Sequence, residues 1–242
     1  MMRVAINQSN YLPWKGYFDL IHEVDLFVFY DDVQYTTRDW RNRNVIKSPQ
    51  GNKWLTVPVG ADRNRLISEV AITDRDWPAV HWRRLLQAYG KAPHFGPYKA
   101  FFQEIYLGRT WDSLSQLNQF LIKHIAREFL GIATKFTDSG PLKLTSRKQD
   151  RIFDVLAAVG ADVFVSGPAA KAYLEPARFA ASGITLEWKD YAGYPGYGQF
   201  FPPFEHAVTI LDLLFHVGSE APDYIWEWRT QAGARSLNAR RA

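Results

Sequence analysis

The chain has 242 residues, of which 47% are hydrophobic and 22% charged, with 29 Lys+Arg against 25 Asp+Glu for a net charge of +4. These globular values exclude wholesale disorder, and the length suffices for one large α/β domain with a full core or for two small ones. With no cysteine, disulfide frameworks, thiolate metal sites and a cysteine nucleophile are excluded; residues 1–8 lack a signal-peptide pattern and no apolar run reaches the roughly 18 residues of a membrane span, so a cytoplasmic protein is expected.

Residues 3–8 are predicted as a strand, with Val4 and Ile6 alternating ahead of a polar run. Pro13 suits the first turn of a helix over 14–23, in which Trp14, Tyr17, Phe18 and Ile21 share a face. Residues 26–30 are a continuous apolar run of strand length, the pattern of a strand covered on both sides. Strand, helix and strand in so short a stretch make a βαβ unit with parallel strands. Residues 44–47 and 54–59 flank a turn cluster at 48–52 and read as a hairpin, and 70–72 is a further short strand candidate.

The middle of the chain reads as helices. Trp77–Tyr89 ends at Gly90 as a C′ residue, 97–107 follows, and 113–130 opens with a capping box of Ser113 and Gln116. Beyond a short strand at 135–137, a second capping box of Ser146 and Gln149 leads a helix to Gly160. A strand at 163–165, a helix at 176–181, a strand at Thr185–Trp188, an irregular loop at 191–203 and a helix at 208–217 complete the pattern. The expected fold class is α/β, a Rossmann-like, mostly parallel sheet in a single domain over 1–228, with a helical insertion at about 77–130. Residues 229–242, with Arg229, Arg235, Arg240 and Arg241, are expected as a basic, flexible tail.

In an open α/β sheet the ligand crevice lies beyond the carboxyl ends of the strands. There the sequence places Asn7, Gln8, Ser9 and Asn10 after the first strand, Asp31, Asp32 and Gln34 after the second, and Ser166, Gly167 and Lys171 after the strand at 163–165. Successive strand residues point to opposite faces, so one of Asp31 and Asp32 enters the site. Asp32 shares a face with Gln34 and is the expected base or orienting carboxylate. Lys171 is expected to meet a phosphate or a developing negative charge, and His81, with Arg83 and Arg84 nearby, is a further acid/base candidate. Arg38, Arg41, Arg43 and Lys47 surround Trp40, Asn42 and Asn44 with Asp39 as the sole carboxylate, a composition suited to a phosphate-bearing ligand. For each residue singly, a turn, a cap or a solvated side chain is the plainer explanation. The six histidines show no metal-ligand spacing, and the chain has no Gly-x-Gly-x-x-Gly, Walker loop or Gly-x-Ser-x-Gly elbow. No metal site is therefore expected, and the cofactor stays open.

The stretch from Asn7 through Gln8-Ser9-Asn10-Tyr11-Leu12-Pro13-Trp14-Lys15-Gly16-Tyr17-Phe18, then Asp31-Asp32-Val33-Gln34-Tyr35, Asn42-Arg43, Ile46-Lys47 and Trp54-Leu55-Thr56-Val57-Pro58-Val59, resembles the WbqC-like family. Ser166-Gly167 with Lys171, Tyr173 and Leu174, Tyr197 with Gln199, and Asp212-Leu213-Leu214 before Gly218 are similar to that family's carboxyl half. Many members read His-Gln-Pro-Asn in the first loop; here Asn7 and Ser9 flank Gln8, so Gln8 and Asn10 carry over and a histidine mechanism does not. A looser similarity, lacking the signature His-x-Gly-His, links the strand-end elements to pantothenate-synthetase-type ligases, which activate a carboxylate as an adenylate.

The family resemblance implies work on a nucleotide-activated or lipid-linked sugar in surface-polysaccharide (O-antigen) biosynthesis. O-antigen amino sugars often carry acyl or aminoacyl groups, so the expected activity is that of a transferase or ligase forming an amide on an amino-sugar nucleotide. Gln8, Asn10, Tyr11, Gln34, Asn42, Arg43, Lys47, Ser166, Gly167, Tyr173 and Gln199 are the expected substrate-binding set, with Asp32, Lys171 and His81 as catalytic candidates. The alternative is a non-catalytic nucleotide- or sugar-binding partner of an assembly enzyme. Nucleic acid as partner is disfavoured by the small net charge.

Overall fold

The computed structural model describes residues 1–230. Its strands are β1 (Arg3–Asn7), β2 (Leu26–Phe29), β3 (Arg43–Ser48), β4 (Gly51–Thr56), β5 (Lys135–Asp138), β6 (Val163–Ser166) and β7 (Thr185–Trp188). Its longer helices are α1 (Lys15–His22), α2 (Trp77–Tyr89), α3 (Phe95–Gln103), α4 (Leu114–His124), α5 (Lys148–Val159), α6 (Pro176–Ser182) and α7 (Ile210–Val217). Five strands form one sheet in the order β5-β2-β1-β6-β7, and every pairing in it is parallel. The chain is thus an α/β, Rossmann-like fold. The remaining two strands make a separate antiparallel hairpin, in which Ser48 pairs with Gly51 and the turn is shorter than the polar cluster suggests.

Alternation along the short strands sends neighbouring residues to opposite faces. Ala5, Phe27, Phe29 and Val165 join the core formed with α1 and the helices of 77–130, while Val4, Val28 and Phe164 meet Val155, Leu156 and Phe179 of α5 and α6. A sheet covered on both faces explains why β2 reads as an unbroken apolar run. From β1 the chain steps outward through β2 to β5, then crosses back to β6 and β7. The reversal between β1 and β6 is the point where a crevice opens at the carboxyl edge.

Several local expectations give way. Gly90 stays right-handed at φ −60° instead of taking the left-handed C′ conformation. Residues 70–72 form no strand, only a bridge between Ala71 and Ser113. Both α3 and α4 widen into π turns, at Glu104–Gly108 and Ile125–Phe129. The box at Ser113 forms its side-chain bond to the Gln116 N–H, but Ser146 caps nothing: Arg147 is the N-cap of α5 and the Ser146 hydroxyl is buried without a partner. Of the expected tail, residues 231–242 lie outside the described residues. Arg229 is not a loose cation, since its guanidinium donates twice to Asp19, at 3.0 and 2.8 Å.

Candidate functional site

A cleft of about 1130 Å³ opens at the carboxyl ends of three adjacent strands, bounded by Asn7 and Gln8 at the end of β1, Tyr30 after β2 and Ser166-Gly167 at the end of β6. Its far walls are the first turn of α5, Arg147-Lys148-Gln149-Asp150, and a segment with Tyr173, Glu175 and Arg178; Gln34 and Arg41 close the near side. Arg41 fixes the first loop. Its guanidinium donates to Gln8 Oε1 at 3.2 Å and to Asn10 Oδ1, and Tyr17 holds the Gln8 carbonyl at 2.9 Å. Because the amide oxygen of Gln8 is taken, its NH₂ is left as the group that donates to a ligand. Tyr30 is pushed up to about 12, chiefly by burial, and stays a hydroxyl donor at neutral pH.

The start of α5 is electrostatically unusual. Cationic side chains are unfavourable at a helix amino end, where the peptide dipoles already present positive charge. Yet Arg147 and Lys148 sit there, no side chain caps the exposed N–H groups, and Lys148 takes the left-handed φ of +53°. Asp150 pairs with Arg178 at 2.6 Å, so Glu175 is the carboxylate of the cleft lining that has no ion pair with a described residue.

Adjacent Asp31 and Asp32 point to opposite faces and fasten opposite layers. Asp31, buried, accepts from the Ser9 N–H at 2.8 Å, from the Ser115 hydroxyl at 2.5 Å and from Gln119 at 3.3 Å, tying the first loop to α4. Asp32 accepts from the Ser139 hydroxyl and from the Arg151 guanidinium, tying the end of β2 to α5. Among the described residues, no three His, Asp or Glu side chains are grouped to hold a metal ion. No described helix is long and apolar enough to cross a membrane.

A family model described as the WbqC-like protein family matches residues 8–224. The chain belongs to that family. It is also 46% identical over 227 residues to the uncharacterized protein Rv1507c of Mycobacterium tuberculosis (strain ATCC 25618 / H37Rv), a match covering 93% of this chain and 98% of that one. No solved structure matches it. In this WbqC-like chain the family-matched span contains the cleft residues from Gln8 to Arg178.

The sequence-predicted site residues divide by location. Gln8, Gln34, Ser166, Gly167 and Tyr173 line the cleft, and Asn10 reaches it through Arg41. Asp32 does not line it, and its carboxylate is engaged by Arg151 and Ser139, which removes the role of a free base. Lys171 lies outside the lining, its ammonium over the Trp188 ring at 5.5 Å. His81 is buried between Tyr11 and Thr56, and burial lowers it to about 3. It is uncharged near neutrality, with both ring nitrogens engaged inside the core, and Tyr11 is a core residue with no exposed surface. Lys47 and Gln199 belong to a second interior network, where Lys47 donates to Gln199 Oε1 at 3.0 Å and Gln199 donates to Asp212 at 2.7 Å. Asn42 and Arg43 line a separate, smaller pocket.

Reading by composition singled out Arg41 only as one of a basic run and missed Arg147, Lys148, Glu175 and Arg178. One signal was present: two consecutive cations where a helix begins is a placement that isolated helices disfavour. The others sit in irregular segments or on short helices, where no periodicity fixes direction.

Proposed function

We propose that this WbqC-like protein binds a nucleotide-activated amino sugar and forms an amide on it during surface-polysaccharide assembly. The observation that carries the reading is the uncapped, cationic start of α5 facing a cleft at the carboxyl edge of a parallel sheet. A diphosphate there would accept from the free N–H groups, neutralise Arg147 and Lys148, and remove their repulsion by the helix dipole. Gln8 Nε2 and the Tyr30 hydroxyl then serve as neutral donors to the sugar and base, while Gln34, whose amide nitrogen donates to the Arg63 carbonyl, offers its Oε1 as an acceptor. In the reaction the sugar amine attacks an activated acyl carbonyl, the new C–N bond replaces the bond to the leaving group, and the amine proton passes to Glu175, whose carboxylate has a Gln149 amide as neighbour and no ion pair with a described residue. The Gly167 N–H, in the cleft lining just after β6, would donate to the developing oxyanion.

The test has two parts. Uridine diphosphate should raise the melting temperature of the native chain by a few degrees, as a ligand of the folded state does at about 100 Kd. The Arg147→Gln, Lys148→Gln double variant should lose that shift. An equal shift in the variant would remove the diphosphate from this cleft. The protein is then incubated with an amino-sugar nucleotide, ATP and amino acids, and the sugar nucleotide is examined for the mass gain of an acyl group, which Glu175→Gln should abolish. Binding without mass gain would favour the non-catalytic partner reading, a reading that the engagement of Asp32 by Arg151 also supports.

A further inference from the structure

On the hairpin side of the 33–43 segment, Arg38, Arg43 and Arg63 line a pocket of about 380 Å³ that contains no carboxylate in its lining. None of the three makes an ion pair with a described residue. Arg43 spans the pocket and an aromatic face beside it: its guanidinium lies 4.2 Å above the Trp54 ring and donates to the Arg38 carbonyl. Trp54 meets Trp40 at 5.5 Å and 37°, and the two rings are 42% and 44% exposed, large apolar surfaces left open to water. Asn42, over nine-tenths buried, donates to Val57 O at 2.9 Å, while its Oδ1 has no donor among the described residues. The Nε of Arg43 is likewise buried without an acceptor.

Each feature asks for a different part of one ligand. Three guanidinium groups without an ion pair to a described residue, in a small volume that Asp39 influences only from outside the lining, favour an anion. An orphaned amide oxygen beside them favours a hydroxyl donor. The exposed indoles favour a flat apolar surface, such as the C–H face of a pyranose. A nucleobase fits less well, because the two rings touch each other and one Trp54 face is already covered by Arg43, so no base can be sandwiched. We propose that the Arg38–Arg43–Arg63 pocket, with the Trp40–Trp54 face, is a second subsite that binds an anionic saccharide, a sugar bearing a carboxylate or a phosphate. Gln34 and Arg41 line the large cleft while their neighbours Tyr35 and Asn42 line this pocket, so the two share a wall. The inference deepens the proposed function by giving the glycan partner its own place, and it rests on that reading for the partner's biological role only.

Calorimetric titrations test it on the full chain. The probes are glucose 1-phosphate, a glucuronic-acid disaccharide, maltose as the neutral control, an oligouridylate, and uridine diphosphate for the large cleft. The two anionic sugars should bind and maltose should not. Arg43→Gln and Trp54→Ala should each weaken the anionic sugars by about tenfold or more, with Trp54→Phe retaining most of the affinity and none of them altering the uridine diphosphate isotherm. The relative strength of phosphate and carboxylate probes identifies which anion the pocket prefers. Equal binding of maltose, tighter binding of the oligouridylate that depends on Trp54, or no saccharide binding by a protein that does bind uridine diphosphate would each overturn the subsite. Saccharide binding without uridine diphosphate binding would leave the subsite standing and overturn the proposed function. The melting temperature of each variant shows that it is folded.

Discussion

His81 Nε2 faces the Thr56 carbonyl at 3.2 Å, an oxygen that only accepts, so the ring proton sits there. Nδ1 then accepts from the Tyr11 hydroxyl at 2.9 Å, and Tyr11 accepts in turn from Tyr106 at 2.6 Å. Burial disfavours the charged ring, Arg84 nearby adds to the effect, and together they lower the folded ring to about 3; protonating Nδ1 would also break the Tyr11 hydrogen bond. An unfolded histidine titrates near 6.5, so on acidification the unfolded chain takes up the proton first. The contribution of the neutral ring is therefore complete above about pH 6.5 and is lost as pH falls toward 3, at about 1.4 kcal/mol per unit. Urea unfolding at pH 7 and pH 5 should show this loss in the native chain. His81→Gln should be less stable at pH 7, yet fall less steeply between the two pH values; an equal fall would mean that His81 is not the group responsible. Residue direction was the hardest thing to read in sequence. Arg41, Arg43 and Lys47 look equivalent as a basic run, but they end in the large cleft, the small pocket and the core respectively. Only the last two lie in β3, and Arg41 precedes it in an irregular segment without a period to orient it.

Among elements, α5 matters most to the cleft, and its position depends on a contact made outside the lining. The Asp32–Arg151 pair, each side chain 14% exposed, joins the end of β2 to α5 one turn beyond Arg147-Lys148. Breaking such a pair from one side leaves a desolvated charge behind. Asp32→Ala should therefore destabilise the fold by about 3 kcal/mol and also reduce the thermal shift caused by uridine diphosphate, because the first turn of α5 loses its anchor. Asp32→Ala, Arg151→Met should recover much of the stability while leaving the ligand shift impaired, which separates positioning from folding. Full retention of the ligand shift in both variants would refute the anchoring role. The strands were legible because their apolar runs are short and bounded by polar turns. The beginning of α5 was not. Ser146 and Gln149 fit a capping box on local grounds, and the folded chain instead leaves the hydroxyl uncapped and Lys148 left-handed. Local preference is overridden there by a tertiary arrangement that the sequence spacing does not encode.

At the scale of the molecule, the polar ends of β1, β2 and β6 could be read as neighbours only because parallel α/β folds put strand ends together. The arms that reach over them, up to Arg178, are brought in by packing and were invisible to that rule. Packing of the same long-range kind fastens the carboxyl segment. Asp19 on α1, 1% exposed, receives Lys189 from the end of β7 at 2.9 Å, the Tyr194 hydroxyl at 2.5 Å and both terminal nitrogens of Arg229. One carboxylate thus joins α1, the edge of the sheet, the 191–203 loop and the last described residues, and Trp226 adds a stack on His22 at 4.0 Å. Asp19→Asn keeps the shape but removes the charge, leaving the buried Lys189 with Glu23 alone and the partly exposed Arg229 without its carboxylate. It should lower stability by about 3–5 kcal/mol, read as a fall of about 10 °C in the melting temperature. Arg229→Gln should cost much less, because Lys189 keeps Asp19 and also reaches Glu23. If Asp19→Asn and Arg229→Gln proved equally mild, the contact would be a rim ion pair and the carboxyl segment would not depend on it. If instead the double variant is no worse than Asp19→Asn alone, the two residues act as one unit, as the geometry of the shared carboxylate requires.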